Sequence, residues 1–225
     1  MKKRIMIFGD SNTWGWNPCN DLVSPLQRWD DDTRWAGIMQ KELGDEYVVI
    51  PEGLNGRTSV WDDPIEEYRC GKDQIIPCLD TWAPLDLVII MVGTNDLKVR
   101  YTVSAQDIAN GVGIIVDKTL HQVGAFRENG PKVLLICPPP LGPVENGVFA
   151  EMFGGNVEKS KKMAPFFEAV AKTYGVEYLD AGTLVKSSEE DGLHMQADQH
   201  EILGKAVADI VLNLFKVQFT RDYTG

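Results

Sequence analysis

Five short apolar runs recur along the chain, and each ends in residues that favour a turn. Runs of this length are too short for a core helix, and flanking turn signals are typical of buried strands. The third run is apolar on both faces, as a central strand of a parallel sheet is. The pattern predicts strands at residues 4–8, 47–50, 85–92, 133–137 and 176–179.

Segments with helical spacing separate these strands. Ser104 followed by Asp107 is a capping-box pattern, which indicates that a helix begins there. Residues 61–80 have no clear period, and we expect only a short helix at 74–79. The other helices are predicted at residues 34–43, 104–120, 158–174 and 197–215.

The alternation of strands and helices predicts the fold class. Parallel strands are joined through helical crossovers, which cover both faces of the sheet. The predicted fold is therefore α/β, a three-layer α/β/α, flavodoxin-like, doubly wound five-stranded parallel sheet. At 225 residues the chain is long enough for one such domain and short for two, so we expect a single domain over residues 1–225.

One long segment, residues 141–156, is rich in glycine and proline and has no period. Such a loop is typical of a mobile rim or a subunit contact. Its apolar stretch, residues 148–153, favours a subunit contact, because exposed apolar patches commonly mark interfaces. We therefore expect a homo-oligomer.

Charge and composition exclude several classes of partner. The net charge of −11 argues against a nucleic-acid binder, which would present a basic surface to the phosphates. No apolar run approaches the roughly 20 residues that cross a bilayer, so no membrane association is expected. The basic residues 2–4 precede too short an apolar run for a signal peptide. The cysteines lack Cys-x-x-Cys spacing and are interpreted as free thiols of a cytoplasmic protein.

Residues suited to catalysis follow four of the predicted strands. Ser11 follows the first strand, Gly56 the second and Asn95 the third, while Asp191 and His194 follow the fifth. The carboxyl ends of parallel strands border one crevice, so we expect these residues to meet there.

Each of these residue types suits one role in acyl transfer. Ser11 needs a base, His194 is the candidate base, and Asp191 is the candidate carboxylate that orients the imidazole. The tetrahedral oxyanion needs donors, and the backbone N–H groups of Ser11 and Gly56 and the side-chain amide of Asn95 are suited to that role. These assignments predict a serine nucleophile and an acyl-enzyme.

Other interpretations of the same residues are open. Residues 10–12 taken alone are also typical of an N-cap cluster. A flavodoxin-like binding module could hold a ligand at this rim without catalysis. A metal-dependent hydrolase is a further alternative, although its ligand spacing would match no standard set, and we expect neither a metal nor a cofactor. Its ligands would be Asp191, His194, Asp198 and His200.

Four blocks of the chain resemble those of the GDSL or SGNH hydrolases. They are Gly9-Asp10-Ser11, Gly53-Leu54-Asn55-Gly56, Gly93-Thr94-Asn95-Asp96 and Asp191-Gly192-Leu193-His194. Residues 9–16, 85–96 and 137–140 further resemble the intracellular arylesterase and acyltransferase subgroup, which includes perhydrolases. Asn12 departs from the family, which often has leucine there. The lipase elbow Gly-x-Ser-x-Gly does not occur around Ser11, which argues against an ordinary α/β-hydrolase.

The resemblance implies the SGNH hydrolase fold, a small-molecule ester substrate and a compact homo-oligomer. It implies hydrolysis of short-chain aryl or alkyl esters, with acyl transfer to alcohols or hydrogen peroxide as a further reaction. Deacetylation of a carbohydrate or another small natural ester is the alternative within enzymes. The tryptophans among the pocket candidates would equally suit the core. The pocket candidates are Asp10, Asn12, Trp14, Trp16, Thr94 and Pro139.

Overall fold

A computed structural model of the chain describes residues 1–19, 21, 25–127, 130–146 and 148–221. The strands of its sheet are β1 (Lys3–Gly9), β2 (Tyr47–Gly53), β3 (Leu87–Met91), β4 (Val133–Cys137) and β5 (Glu177–Asp180). All neighbours are parallel, in the order β2-β1-β3-β4-β5. This order is the flavodoxin-like one, and it confirms the predicted α/β class.

Strand β2 continues past its predicted end at Ile50. Pro51 lies within the strand and is in register with Ile7 of β1. A proline is accommodated because β2 is an edge strand, where one row of backbone groups needs no partner. The extension brings Gly53 opposite Gly9, so the loop after β2 begins beside the end of β1.

Helices cover both faces of the sheet. They are α1 (Ser11–Trp14), α2 (Trp35–Leu43), α3 (Gly71–Trp82), α4 (Ala105–His121), α5 (Ala150–Phe153), α6 (Val157–Ser160), α7 (Met163–Tyr174) and α8 (Ala197–Arg221). The capping box of Ser104 and Asp107 is present at the start of α4. None of the helices within the described ranges has both the length and the apolar character needed to cross a bilayer.

Three helices differ from their predicted extents, and one of them, α8, continues to Arg221, past its predicted end at residue 215. Helix α3 is longer than the expected helix at 74–79 and contains Pro77. The single helix expected at 158–174 is broken into α6 and α7. At the break, the Ser160 hydroxyl donates to the Val157 carbonyl and accepts from the Leu141 N–H, so a tertiary contact replaces helix continuity.

Alternating side chains divide the core into two layers. Met6 and Phe8 of β1 belong to a cluster with α3, α4 and α7, whereas Ile5 and Ile7 belong to a cluster with α2 and α8. All four side chains are fully buried, which contributes about 1.5–3 kcal/mol each relative to exposure. The helices therefore lie on opposite faces, and the predicted three-layer arrangement is confirmed.

Helices α2 and α8 approach each other closely at Gly204. A Cβ at this position would lie 2.7 Å from the Trp35 carbonyl oxygen and 2.8 Å from the Ile38 Cβ. Glycine inside a helix costs about 1 kcal/mol relative to alanine. The close packing of the two helices accounts for a glycine at this position.

Candidate active site

The end of β1 places Ser11 at the start of a single helical turn. The carboxylate of Asp10 caps this turn by accepting a hydrogen bond from the Asn12 N–H at 3.0 Å. Gly9 lies so close to the turn that a Cβ there would be 2.1 Å from the Thr13 hydroxyl oxygen. The Ser11 side chain is thereby fixed at the carboxyl edge of the sheet, between β2 and β3.

Ser11, His194 and Asp191 form one chain of hydrogen bonds. Ser11 Oγ lies 2.8 Å from His194 Nε2, and His194 Nδ1 lies 2.6 Å from Asp191 Oδ2. The exposed fractions of the three residues are 8%, 3% and 1%. The structure thus brings together the three residues that the sequence predicts as nucleophile, base and orienting carboxylate.

The surroundings of Asp191 favour its ionised form. Burial alone would raise the pKa of this carboxyl, but the hydrogen bond and the charge of His194 together with two backbone N–H groups outweigh it. Its Oδ1 accepts from the N–H groups of Leu193 and His194, each at 2.9 Å, and from the Ser188 hydroxyl at 2.9 Å. The pKa of Asp191 is held below its ordinary value, so an anion faces the imidazole.

Two further donors border the same space. Gly56 has φ +78°, a conformation that favours glycine, and a Cβ there would lie 2.5 Å from Glu66 Oε2, so that this carboxylate would have to shift. The Asn95 amide nitrogen donates to the Arg57 carbonyl at 3.1 Å. Since a primary amide has two N–H groups, this bond fixes Asn95 and leaves a second donor for a ligand.

These residues line a cavity of about 220 Å³ at the carboxyl edge of the sheet. Its polar lining is formed by Ser11, Asn55, Gly56, Glu66, Asn95, Lys98 and His194. Its apolar lining is formed by Trp16, Phe149, Met152, Phe153 and Leu193.

Aromatic rings enclose the imidazole of His194. The Trp16 ring stacks on it with centroids 5.2 Å apart, and the Phe149 ring meets it edge-on with centroids 5.7 Å apart. Trp16 and Phe149 also contact each other, with centroids 6.1 Å apart. An apolar enclosure of this kind limits water around the base and strengthens its electrostatic interactions.

Of the six predicted pocket residues, the structure places Trp16 in the cavity lining. Trp14 is not a lining residue, and it contacts Trp16 with ring centroids 6.3 Å apart. The other four are buried without being among the lining residues, and two of them serve as hydrogen-bonding groups for the backbone around the site. These four are Asp10, Asn12, Thr94 and Pro139.

Much of the cavity wall was not foreseen from the sequence. Phe149, Met152 and Phe153 come from the segment 148–153, which the sequence assigns to a subunit contact. Its apolar character was the available signal, but periodicity does not reveal which surface an apolar loop covers. Glu66 comes from a loop and Lys98 from the junction of two 3-10 turns, and they form an ion pair of 2.9 Å.

The geometry gives little support to a metal site at the alternative ligand set. His200 is fully buried, and its Nδ1 accepts the Trp35 N–H at 3.4 Å. Burial lowers the pKa of His200 to about 3. Among the described residues, one group of three side chains has its possible ligand atoms close enough together to hold one metal ion. This group lies elsewhere, at Asp62, Cys70 and Asp73.

A larger cavity of about 600 Å³ lies at the opposite end of the sheet. It is bordered by Leu87, Val133 and Glu177, where β3, β4 and β5 begin. Its lining contains no serine, histidine or cysteine. The smaller cavity, which is lined by Ser11 and His194, is therefore the candidate active site despite its smaller volume.

The fold and the site together define a class of protein. It is an α/β protein in which a buried serine, histidine and aspartate are joined in that order by hydrogen bonds, at the carboxyl edge of a parallel sheet. The sequence matches the model of the GDSL-like Lipase/Acylhydrolase family over residues 7–202. The chain belongs to this family.

Solved structures of similar sequence support the assignment. Est24, a carbohydrate acetylesterase from Sinorhizobium meliloti, is 40% identical, with a TM-score of 0.89 over 95% of this chain and 100% of that chain. An aryl esterase from M. smegmatis is 39% identical, with a TM-score of 0.89 over 94% and 99% of the two chains. A carbohydrate acetylesterase family member from S. meliloti is 32% identical, with a TM-score of 0.84 over 93% and 97%. Among curated proteins, none matches the chain.

Proposed function

We propose that the protein is a serine esterase that hydrolyses short-chain acyl esters through an acyl-enzyme. The observation that carries this proposal is the 2.8 Å contact between Ser11 Oγ and His194 Nε2, continued by the 2.6 Å contact to Asp191. A serine hydroxyl becomes a competent nucleophile when a base within hydrogen-bond reach accepts its proton. Family membership and the esterase neighbours support the same reaction.

The geometry suits the steps of acyl transfer. Ser11 Oγ attacks the ester carbonyl carbon as its proton moves to His194 Nε2, and Asp191 stabilises the resulting imidazolium. The carbonyl oxygen becomes an oxyanion, held by the N–H groups of Ser11 and Gly56 and the amide of Asn95. The bond to the alcohol oxygen then breaks, and that oxygen takes the proton from His194. Water attacks the acyl-Ser11 in the same way and releases the acid.

Cavity size supports a short acyl group. About 220 Å³ is below the roughly 300–1,000 Å³ of sites that enclose drug-sized ligands. Acetyl and similarly small acyl esters are therefore the proposed substrates.

A carbohydrate or other polyhydroxylated acetate ester is the second candidate substrate. The polar side of the cavity favours it, because Asn55 and the Glu66–Lys98 ion pair present hydrogen-bonding groups to an alcohol moiety. Two of the similar structures, both from S. meliloti, are a carbohydrate acetylesterase and a member of a carbohydrate acetylesterase family, which supports this candidate. Comparing a monoacetylated glucose, which keeps its other hydroxyl groups, with phenyl acetate tests it, and a Glu66→Gln protein should lose activity on the sugar ester alone. The exposed neighbour Glu67→Gln is the control.

Three finer expectations belong to the proposal. Acyl transfer to alcohols or hydrogen peroxide would compete with hydrolysis because aromatic rings limit water near His194.

Exposed apolar side chains at Ile65 and Tyr68 support a homo-oligomer. Free thiols at all four cysteines support a reducing compartment such as the cytoplasm.

Replacement of the nucleophile tests the proposed function. The Ser11→Ala protein should lose at least about 10³-fold of the turnover of p-nitrophenyl acetate. Ser104→Ala is the matched control, since this serine caps α4 away from the cavity and its loss should cost about 1 kcal/mol of stability only. Wild-type turnover in Ser11→Ala would refute the serine mechanism and favour another nucleophile, whereas a wild-type protein without turnover would favour a binding module.

A further inference from the structure

The side chain of Asn12 bonds to both peptide groups that flank His194. Its Oδ1 accepts from the Met195 N–H at 3.0 Å, and its Nδ2 donates to the Leu193 carbonyl at 3.2 Å. Asn12 is only 2% exposed, so water competes little for either bond. One amide thus holds the backbone immediately before and immediately after His194.

Asn12 is also fixed at its own end. It follows Ser11 directly within α1, and its backbone N–H donates to Asp10 Oδ1 at 3.0 Å. Asn12 is thereby part of the same capped turn as Ser11. Its side chain links this turn to a loop that lies more than 180 residues further along the chain.

Apart from the Ser11–His194 contact itself, the other hydrogen bonds described for this loop lead to neighbouring loops and not directly to α1. The Ser187 hydroxyl donates to the Leu193 carbonyl, and the Ser188 N–H donates to the His194 carbonyl. Both donors are close in sequence to His194, and the Ser187 hydroxyl also bonds to the Pro140 carbonyl at 2.9 Å, which ties the loop to the segment after β4. The Trp29 indole donates to the Met195 carbonyl at 3.4 Å, and the Trp29 N–H donates to the Gly15 carbonyl at 2.8 Å, so this residue links the loop to the end of α1. Among the described hydrogen bonds, those of Asn12 are the ones that join the Ser11 turn directly to the backbone on both sides of His194.

We propose that Asn12 is a positioning residue that sets the distance between Ser11 Oγ and His194 Nε2. This inference rests on the proposed esterase function. Proton transfer requires the base within about 3.2 Å of the hydroxyl, and a displacement of about 1 Å can cost about 100-fold in rate. Asn12 touches neither the ester nor the transferred proton in this scheme, and it acts through the placement of His194.

Replacement by leucine tests the proposal most directly. Asn12→Leu keeps the branched shape of the side chain and removes both hydrogen bonds. We expect kcat for p-nitrophenyl acetate to fall about 10- to 100-fold, with KM within about twofold because the cavity lining is unchanged. The rate constant for inactivation by an organophosphonate should fall by a similar factor, and exchange of the Met195 amide hydrogen should become faster.

A second variant and two controls make each outcome decisive. Asn12→Ala adds no volume and serves if the leucine protein fails to fold. Val116→Ala, on the buried face of α4, lowers stability away from the site and should leave kcat and KM near wild type. If a folded Asn12 variant keeps wild-type kcat while Ser11→Ala is inactive, the positioning role is wrong and the esterase function stands. If Ser11→Ala is itself active, the underlying function is wrong.

Discussion

At the scale of single residues, Asp96 is a carboxyl that the mechanism does not use. It is 1% exposed and accepts hydrogen bonds from the N–H and the hydroxyl of Ser59. Burial nevertheless raises the pKa of Asp96 to about 7 from an ordinary value of 3.8. Burial also raises the pKa of Asp10 to about 6. The folded protein therefore holds protons near neutrality that the unfolded chain releases at lower pH.

These shifts predict a fall in stability as pH rises from about 4 to 7. In this range the folded state binds more protons than the unfolded state, so the free energy of unfolding decreases with pH. Below the pKa of the unfolded chain these carboxyls are protonated in both states, and they no longer make the free energy of unfolding depend on pH. Asp96→Asn should reduce the fall between pH 4.5 and 7.5 by an amount on the order of 2–4 kcal/mol, measured by urea denaturation.

The exposed Asp209 provides the control for this measurement. Asp209→Asn should leave the pH dependence of stability unchanged. An Asp96→Asn protein with the wild-type slope would show that this carboxyl is ionised throughout the range in the folded state.

At the scale of elements, Arg57 joins two strand ends to the loop that carries Gly56. Its guanidinium donates to the carbonyl groups of Gly9, at 2.7 Å, and Glu52, at the ends of β1 and β2. It also lies 3.9 Å from the centroid of the Phe8 ring. Because the Arg57 carbonyl holds the Asn95 amide, both side-chain and backbone contacts of this residue support Gly56 and Asn95, the proposed oxyanion donors.

Arg57→Met is expected to lower both stability and turnover. The buried carbonyl groups of Gly9 and Glu52 lose a charged donor, which costs on the order of 2–4 kcal/mol in the free energy of unfolding. The loop with Gly56 loses its anchor, so kcat should fall about tenfold or more. Urea denaturation and p-nitrophenyl acetate kinetics measure the two effects.

Arg127→Met is the matched control for this change. Arg127 bonds to the Lys2 carbonyl and the Asp86 carboxylate beside the other end of the sheet. Its replacement should lower stability and leave kcat unchanged. Equal kinetic effects of the two substitutions would argue against a role of Arg57 in the site.

The short helix α5 forms part of the cavity wall, and we expect it to limit the acyl length. Met152→Ala should enlarge the cavity, because Met152 is one of its lining residues. We expect the ratio of kcat/KM for p-nitrophenyl octanoate to that for the acetate to rise about tenfold or more. Val148→Ala, on an exposed neighbour outside the lining, should leave the ratio unchanged. A Met152→Ala protein with the wild-type ratio would place the acyl group elsewhere.

The strands were predictable because apolar runs and turn residues are local signals. The residues Ser11, Gly56, Asn95, Asp191 and His194 were identifiable because they follow strands whose ends share one edge. By contrast, the break at Ser160 and the two bonds of Asn12 depend on contacts between distant segments. Periodicity carries no information on such contacts, so they emerge only from the folded structure.

At the scale of the whole molecule, the fold brings two distant parts of the sequence together. Ser11 and His194 are separated by 183 residues, and they meet at the carboxyl edge of the sheet through the order in which the strands are wound. The larger cavity lies at the opposite end. The proposed chemistry is therefore a property of the complete sheet and of the loop that follows β5.

The most direct test of this account is to locate the adduct of an organophosphonate serine probe by mass spectrometry. The account predicts one covalent adduct on Ser11, formed as esterase activity is lost and absent in the Ser11→Ala protein. An adduct on another residue, or an active enzyme that acquires none, would contradict it.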